Sequence, residues 1–278
     1  LPLVTSRGCP FTCIHCSSNP DTPEGQAKTQ RRYSPARLRA YLAQLAHYAP
    51  PKLHVLDELI NVNERHFDTF LEAMAEHDLA FEVPNGMRAD YIEPRHLAQM
   101  HGRLTTLSIS AESGSQEVLD TIVRKRLKLE TIVEATRRAH EAGVSCLVHY
   151  IIGFPGESAE QINQTLSFAL DLWDRYKAFP AVQYATPLPG TPLAREASEL
   201  AHTKLPVVQD WGPYFQQAPS LSSQVPTERL RQFMWTFRKR LDGSQGAKKL
   251  VMNVTYVCNN HCTFCATGTR TQIDGHPT

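Results

Sequence analysis

The stretch Cys9-Pro10-Phe11-Thr12-Cys13-Ile14-His15-Cys16 decides how the rest of this 278-residue chain is read. Its three thiols sit four and then three residues apart, directly after the apolar run Leu1 to Val4. One loop with that spacing can place thiolates on three corners of a cubic iron–sulfur cluster and leave the fourth iron without a protein ligand. An open metal position is where chemistry happens; a closed one only holds structure. The pattern recurs at Cys258-Asn259-Asn260-His261-Cys262-Thr263-Phe264-Cys265. Six of the seven cysteines therefore form two identical triplets, and Cys258, Cys262 and Cys265 are a second candidate ligand set. Two rivals stand beside the cluster. Structural zinc wants four ligands, usually from two pairs, whereas each triplet offers three thiols in one loop. A fully ligated electron-transfer cluster needs a fourth thiol. Only Cys146 remains, inside an apolar run, where it reads as a small core residue.

Composition sets the frame around that loop. At 41% hydrophobic and 8% aromatic the chain can bury a sizeable core. A net charge of +1 gives no global argument for nucleic acid or a membrane surface. The local clusters Arg124-Lys125-Arg126 and Arg238-Lys239-Arg240 read as solvated helix faces. No apolar run approaches the ~18 residues of a membrane span. No signal peptide is visible, and a start at Leu1 rather than Met leaves room for an upstream part. Cysteines without secretory context imply a reducing, cytoplasmic setting and metal ligation rather than disulfides.

Strand and helix signals alternate along the chain. Strands are expected at 1–4, 53–58, 79–83, 104–110, 144–152 and 181–184. Helices are expected from Ser34-Pro35, around Phe67 to Met74, from Pro94, from Glu117 to about Ala142, after the capping pair Ser158 and Gln161, and from Thr227. The run 144–152 is apolar enough to be covered on both faces. Six strands alternating with helices predict an α/β fold, a partial (βα)6 barrel of parallel strands with outer helices. In such barrels the site gathers at the carboxyl ends of the strands. The connectivity thus brings Cys9, Cys13, Cys16, Asp57, Glu58, Arg88, Glu112 and Gly153 to one face. Residues 1–242 form the expected barrel domain and 243–249 a linker, with Asp242 to Ala247 reading as linker composition. Residues 250–278 repeat the strand-before-cysteines arrangement and read as the truncated start of a second such domain.

The spacing CxxxCxxC after a strand resembles the radical S-adenosylmethionine (radical SAM) superfamily. The resemblance implies that Cys9, Cys13 and Cys16 hold a [4Fe–4S] cluster. It implies that the methionine end of S-adenosylmethionine chelates the open iron, and that its reductive cleavage gives a 5′-deoxyadenosyl radical. By position, His15 would lie by the adenine, and Asp57-Glu58 would grip the methionine amine, though the family's usual Gly-Gly-Glu is here Leu56-Asp57-Glu58. Arg88 would meet the cofactor's carboxylate or a neighbouring acid. Glu112-Ser113 would contact its amino-acid and ribose portion, and Ile151 to Gly153 its adenine. The phrases Ala111-Glu112-Ser113-Gly114-Ser115, Gly153-Phe154-Pro155-Gly156-Glu157 and Thr186-Pro187-Leu188-Pro189-Gly190-Thr191-Pro192 resemble a branch that often carries an upstream cobalamin domain and includes methyltransferases and ring-forming or rearranging enzymes. That resemblance implies cobalamin in a missing upstream domain, and methyl transfer or a radical-based rearrangement as the outcome. Expected partners are a small-molecule or peptide substrate and a reductant such as flavodoxin or ferredoxin.

Overall fold

The computed structural model describes residues 1–18, 29–200 and 223–244. The second cysteine triplet, and nearly all of the expected linker and second domain, lie outside the described residues. β1 (Pro2–Leu3) leads through a short antiparallel ribbon, β2 (Ser6–Arg7) with β3 (Arg31–Arg32), into α1 (Pro35–Ala46). β4 (Leu53–Val55) leads to α2 (Glu64–Glu76), β5 (Phe81–Glu82) to α3 (Pro94–Met100), and β6 (Leu107–Glu112) to α4 (Leu129–Glu141). β7 (Cys146–Ile152) is followed by α5 (Ala159–Tyr176), and β8 (Phe179–Tyr184) by α6 (Pro192–Leu200). α7 (Thr227–Ser244) ends the described chain.

Six strands run parallel in two sheets, ordered β1-β4-β5 and β6-β7-β8. Isolated parallel bridges, Phe81 with Leu104 and Met87 with Ile109, join the two. The result is the expected partial six-stranded barrel. Helices cover its outside: Tyr150 of β7 meets Phe168 of α5 edge-on at 6.4 Å, and Phe70 of α2 meets Phe81 of β5 at 5.1 Å. Leu38, Leu42, Phe67, Phe70 and Phe81 are fully buried. Each such side chain contributes about 1.5–3 kcal/mol by leaving water. Two caps fall where the sequence places them. Ser34 accepts from the Arg37 amide, and Ser158 and Gln161 cap each other's backbone N–H. No described helix is long and apolar enough to cross a membrane.

The structure corrects four expectations. The helix read from Glu117 to Ala142 is broken. A single wide π-turn over Val118–Ile122 gives way to an irregular segment before α4, with Arg124 and Arg126 at φ of +58° and +53°. Tertiary contacts override local propensity there: the Val123 carbonyl accepts from the Ile14 amide of the cysteine loop. β7 is not covered on both faces; Leu147, His149 and Ile151 are half-buried and alternate with four buried residues. They line the barrel lumen, which a partial barrel leaves partly open. Outside the six expected strands, Ser6–Arg7 and Arg31–Arg32 pair as the antiparallel β2–β3 ribbon. Finally, α7 continues through Ser244, so Asp242 to Ser244 are helical rather than linker.

Candidate functional site

The cysteine loop is anchored at both ends. At its base, the buried Asp57 carboxylate accepts from the Thr5 amide and the Thr5 hydroxyl, each at 2.7 Å, and from the Ser6 hydroxyl. His66 extends this network, with Nε2 2.9 Å from Thr5 Oγ1. Gly8 then turns the chain at φ +94°, and its amide donates to Glu58 Oε2 at 3.1 Å. A Cβ on Gly8 would lie 2.5 Å from the Thr29 carbonyl oxygen, so no larger residue fits. At the far end Ile14 is buried with Val118, Val123, Phe154 and Leu193. Its amide donates to Val123 O at 3.2 Å, and its carbonyl accepts from the Leu193 amide at 3.0 Å.

Held by these anchors, Cys9, Cys13 and Cys16 line one cavity at the carboxyl ends of the strands. Glu58, Gly86, Arg88, Ser110, Glu112, Lys125 and His15 line it with them. Its enclosed part measures about 100 Å³. Burial raises the Cys9 thiol, and burial pushes the Cys13 thiol up to about 11 against the pull of Lys125. A metal that takes these sulfurs must displace their protons.

Glu112 faces the thiols from a bulge at the end of β6, at φ +68°. Its Oε1 lies 2.8 Å from Lys125 Nζ and 3.6 Å from His15 Nε2. Burial opposes its ionisation, but the Lys125 ammonium and His15 outweigh that and hold the carboxyl well below the usual range. The His15 ring meets Phe154 edge-on at 5.9 Å, and its buried Nδ1 has no partner among the described residues.

Lys125 is the functional residue that sequence reasoning missed. The triplet Arg124-Lys125-Arg126 is not a solvated helix face: Lys125 is 5% exposed, while its two neighbours are exposed. The left-handed Arg124 and Arg126 turn it inward. Arg88 fixes that turn, donating from Nη1 to Lys125 O at 3.0 Å and from Nη2 to Arg126 O at 3.2 Å. It also forms a two-point pair with Asp90, and its guanidinium stacks 3.9 Å above Phe11. Four of its five N–H donors are thus spent within the protein. By contrast Arg238, Lys239 and Arg240 are exposed on α7, as read.

Not every candidate meets in this cavity. Asp57 is fully buried beneath the loop, and the ring of Thr5 and Ser6 donors makes it the loop's footing. Ser113 is buried against α5, its hydroxyl 2.9 Å from Thr165 Oγ1, and Gly114 packs there so closely that a Cβ would lie 2.5 Å from Phe168 Cβ. Ile151 packs beside Ile14 and Phe154. Gly153, at φ +82°, gives its amide to Glu157 Oε2 at 2.6 Å. A larger hollow of about 660 Å³ opens at the opposite ends of β7 and β8, against His140, Cys146, Tyr176 and Phe179. Among the described residues one thiol lines it. Cys146 lies there, buried, its thiol pushed up to about 12 by that burial.

The donor set fits an iron–sulfur cluster better than one metal ion. Among the described residues no three Cys, His, Asp or Glu side chains converge as they would on a single ion. A cubane spreads its thiolate ligands over separate irons. The unpartnered His15 Nδ1 adds a polar atom on the same wall that a bound group can satisfy.

The profile described as Radical SAM superfamily matches residues 3–169. An uncharacterised methyltransferase of Pyrococcus horikoshii is 30% identical over 194 residues, 69% of this chain and 40% of that protein. Cytidylyl-2-hydroxyethylphosphonate methyltransferase of Streptomyces wedmorensis is 27% identical over 201 residues, 70% of this chain and 36% of that protein. The chain thus spans well under half the length of these relatives. Among solved structures, the cobalamin-dependent S-adenosylmethionine radical enzyme OxsB superposes with a TM-score of 0.61 at 16% identity, over 87% of this chain and 41% of that one. At that identity the likeness shows the barrel fold.

Proposed function

The chain belongs to the Radical SAM superfamily, and from that premise we propose that it binds a [4Fe–4S] cluster through Cys9, Cys13 and Cys16 and cleaves S-adenosylmethionine reductively. One observation carries the reading: three thiols of a single loop share a cavity with the ionised Glu112–Lys125 pair, and the other described cysteine lies at the far end of the barrel. Bound there, cluster and S-adenosylmethionine supply one-electron cleavage of a carbon–sulfur bond and a 5′-deoxyadenosyl radical.

The chain's own residues bind and orient. Cys9, Cys13 and Cys16 give up their protons to hold three irons. Glu112 stays ionised and accepts hydrogen bonds from the cofactor's amino-acid or ribose groups. Lys125, held in place by Arg88, neutralises Glu112, and its ammonium favours the thiolate form of Cys13. Gly86 keeps the wall opposite Ser110 free of side chain. Phe154 and Ile14 close the loop's inner side against water.

The methyltransferase names of the relatives support methyl transfer as the outcome, and cobalamin in a further domain of a longer protein as the methyl carrier. A cluster built on reduced thiols supports a cytoplasmic location. Anaerobic reconstitution tests the reading. The expected result is brown protein with about four irons per intact triplet, and 5′-deoxyadenosine on reduction with S-adenosylmethionine. Cys13→Ala abolishes iron uptake and deoxyadenosine formation at this barrel. Full iron and cleavage in that variant, or colourless zinc-loaded protein, overturns the assignment.

A further inference from the structure

A second charged feature lies just outside the cavity. The β2–β3 ribbon sets Arg7 directly opposite Arg31, with Arg32 beside them opposite Ser6. Like charges facing each other across two strands are destabilising, and arginine cannot shed its proton to relieve them. Relief inside the chain is slight. Arg7 reaches Glu58 only at 4.0 Å with 70% of its side chain exposed, and Arg32 bonds the neutral Gln30 side chain. Among the described residues Arg31 has no acidic partner within ion-pair distance. Tyr33, 39% exposed, and Arg37, stacked 5.6 Å from its ring, continue the patch. A shallow hollow of about 500 Å³ runs along it. In a chain of net charge +1, this concentration is local rather than a general basicity.

The placement says what the patch is for. Only Gly8 separates Arg7 from Cys9, so their backbones lie within about 7 Å. We infer that this arginine-faced ribbon is the docking face for an acidic one-electron carrier protein that reduces the cluster of the proposed function. The inference rests on that function. The reduced carrier loses one electron, the oxidised cluster gains it, and no atom is transferred. Arginine and tyrosine are the residue types enriched where proteins bind. Opposite charge across the face steers the encounter and makes its rate fall with salt. An open face of exposed guanidinium groups suits a protein surface better than an enclosed small anion.

The experiment uses the reconstituted holoenzyme with two reductants, reduced flavodoxin and titanium(III) citrate. Arg31→Glu is the variant, since Arg31 touches neither thiol nor cavity. With flavodoxin, deoxyadenosine formation at low ionic strength falls about tenfold and loses most of its salt dependence. With titanium(III) citrate the rate is unchanged. Binding of oxidised flavodoxin, read by titration without turnover, weakens in parallel. Equal flavodoxin-driven rates in variant and wild type overturn the docking face alone, as does binding of inorganic phosphate or anionic vesicles that the same variant abolishes while flavodoxin binding stays intact. Absence of deoxyadenosine from the wild type with titanium(III) citrate overturns the enzymatic reading and this inference with it.

Discussion

Two glutamates end neighbouring strands of this barrel, and they show opposite electrostatics. Glu112 at the end of β6 and Glu157 just past β7 are both buried. Glu112 has Lys125 at 2.8 Å and stays ionised well below the usual carboxylate range. Among the described residues Glu157 meets no cation. Burial pushes its carboxyl up to about 7 even though the Gly153 and Phe154 amides donate to Oε2, at 2.6 and 3.1 Å, and among the described residues its Oε1 has no partner. Residue type and depth are the same; the fixed charge alongside differs. A strand-end carboxylate in this fold is therefore a charged group where an ammonium is folded in beside it, and a backbone brace where only amides are.

Removing the ammonium breaks the contrast most sharply. Lys125→Met leaves a buried carboxylate without its counter-charge, which costs about 3–5 kcal/mol. Urea unfolding of the apoprotein at pH 7 reads this loss. The deficit shrinks as pH falls, because Glu112, no longer held down, then takes a proton. Adding Glu112→Gln restores most of the stability, since neither half of the pair is then stranded. A stable Lys125→Met single variant with unchanged pH dependence would sink the claim that Lys125 governs Glu112.

Glu157 is sharpened through pH. Its folded pKa of about 7 lies above the ordinary value of 4.5, so the native state holds a proton that the unfolded chain releases. Its contribution is fully present below the unfolded value and is lost as pH rises through about 7. Over that window the loss is on the order of 3 kcal/mol. In Glu157→Gln the amide oxygen accepts the same two backbone donors without titrating. Between about pH 5 and 8 the unfolding free energy of the wild type relative to the variant should fall by roughly 3 kcal/mol, a difference that groups titrating in both proteins leave untouched. A matching decline in both proteins would place the titrating group elsewhere.

The contrast also marks what the sequence made legible. Six strand–helix units, the cysteine loop and Glu112 were readable because periodicity and motif spacing are local. Lys125 was hidden. In a run of cations it looks like helix surface, and only the left-handed Arg124 and Arg126, set by contacts from Ile14 and Arg88, turn it inward. In the sequence Asp57 looks like a cofactor residue because it ends a strand; its donors, Thr5 and Ser6, lie about fifty positions away in the chain. The Ser113-Gly114 half of the Glu112 motif serves the packing of α5. The β2–β3 ribbon has two residues per strand, too few to carry a period.

The smallest expected effect tests whether the β7 end is brace alone. Gly153 holds φ +82°, where a side chain costs about 1–2 kcal/mol. A Cβ there would come 3.2 Å from Leu230 Cδ1, the far end of a flexible chain that can yield. Gly153→Ala should therefore fold, with stability lower by about that backbone cost. The family resemblance places this backbone against adenine, whereas in the structure Gly153 is tied to Glu157 and stands off the thiol-lined cavity. Brace and binding site part company in one measurement, the affinity of the reconstituted variant for S-adenosylmethionine. If Gly153 only braces, affinity stays within about threefold of wild type, under 1 kcal/mol. A tenfold loss at full iron content would instead make this turn part of the cofactor site, and the Glu157 carboxyl behind it a positioning group for the reaction.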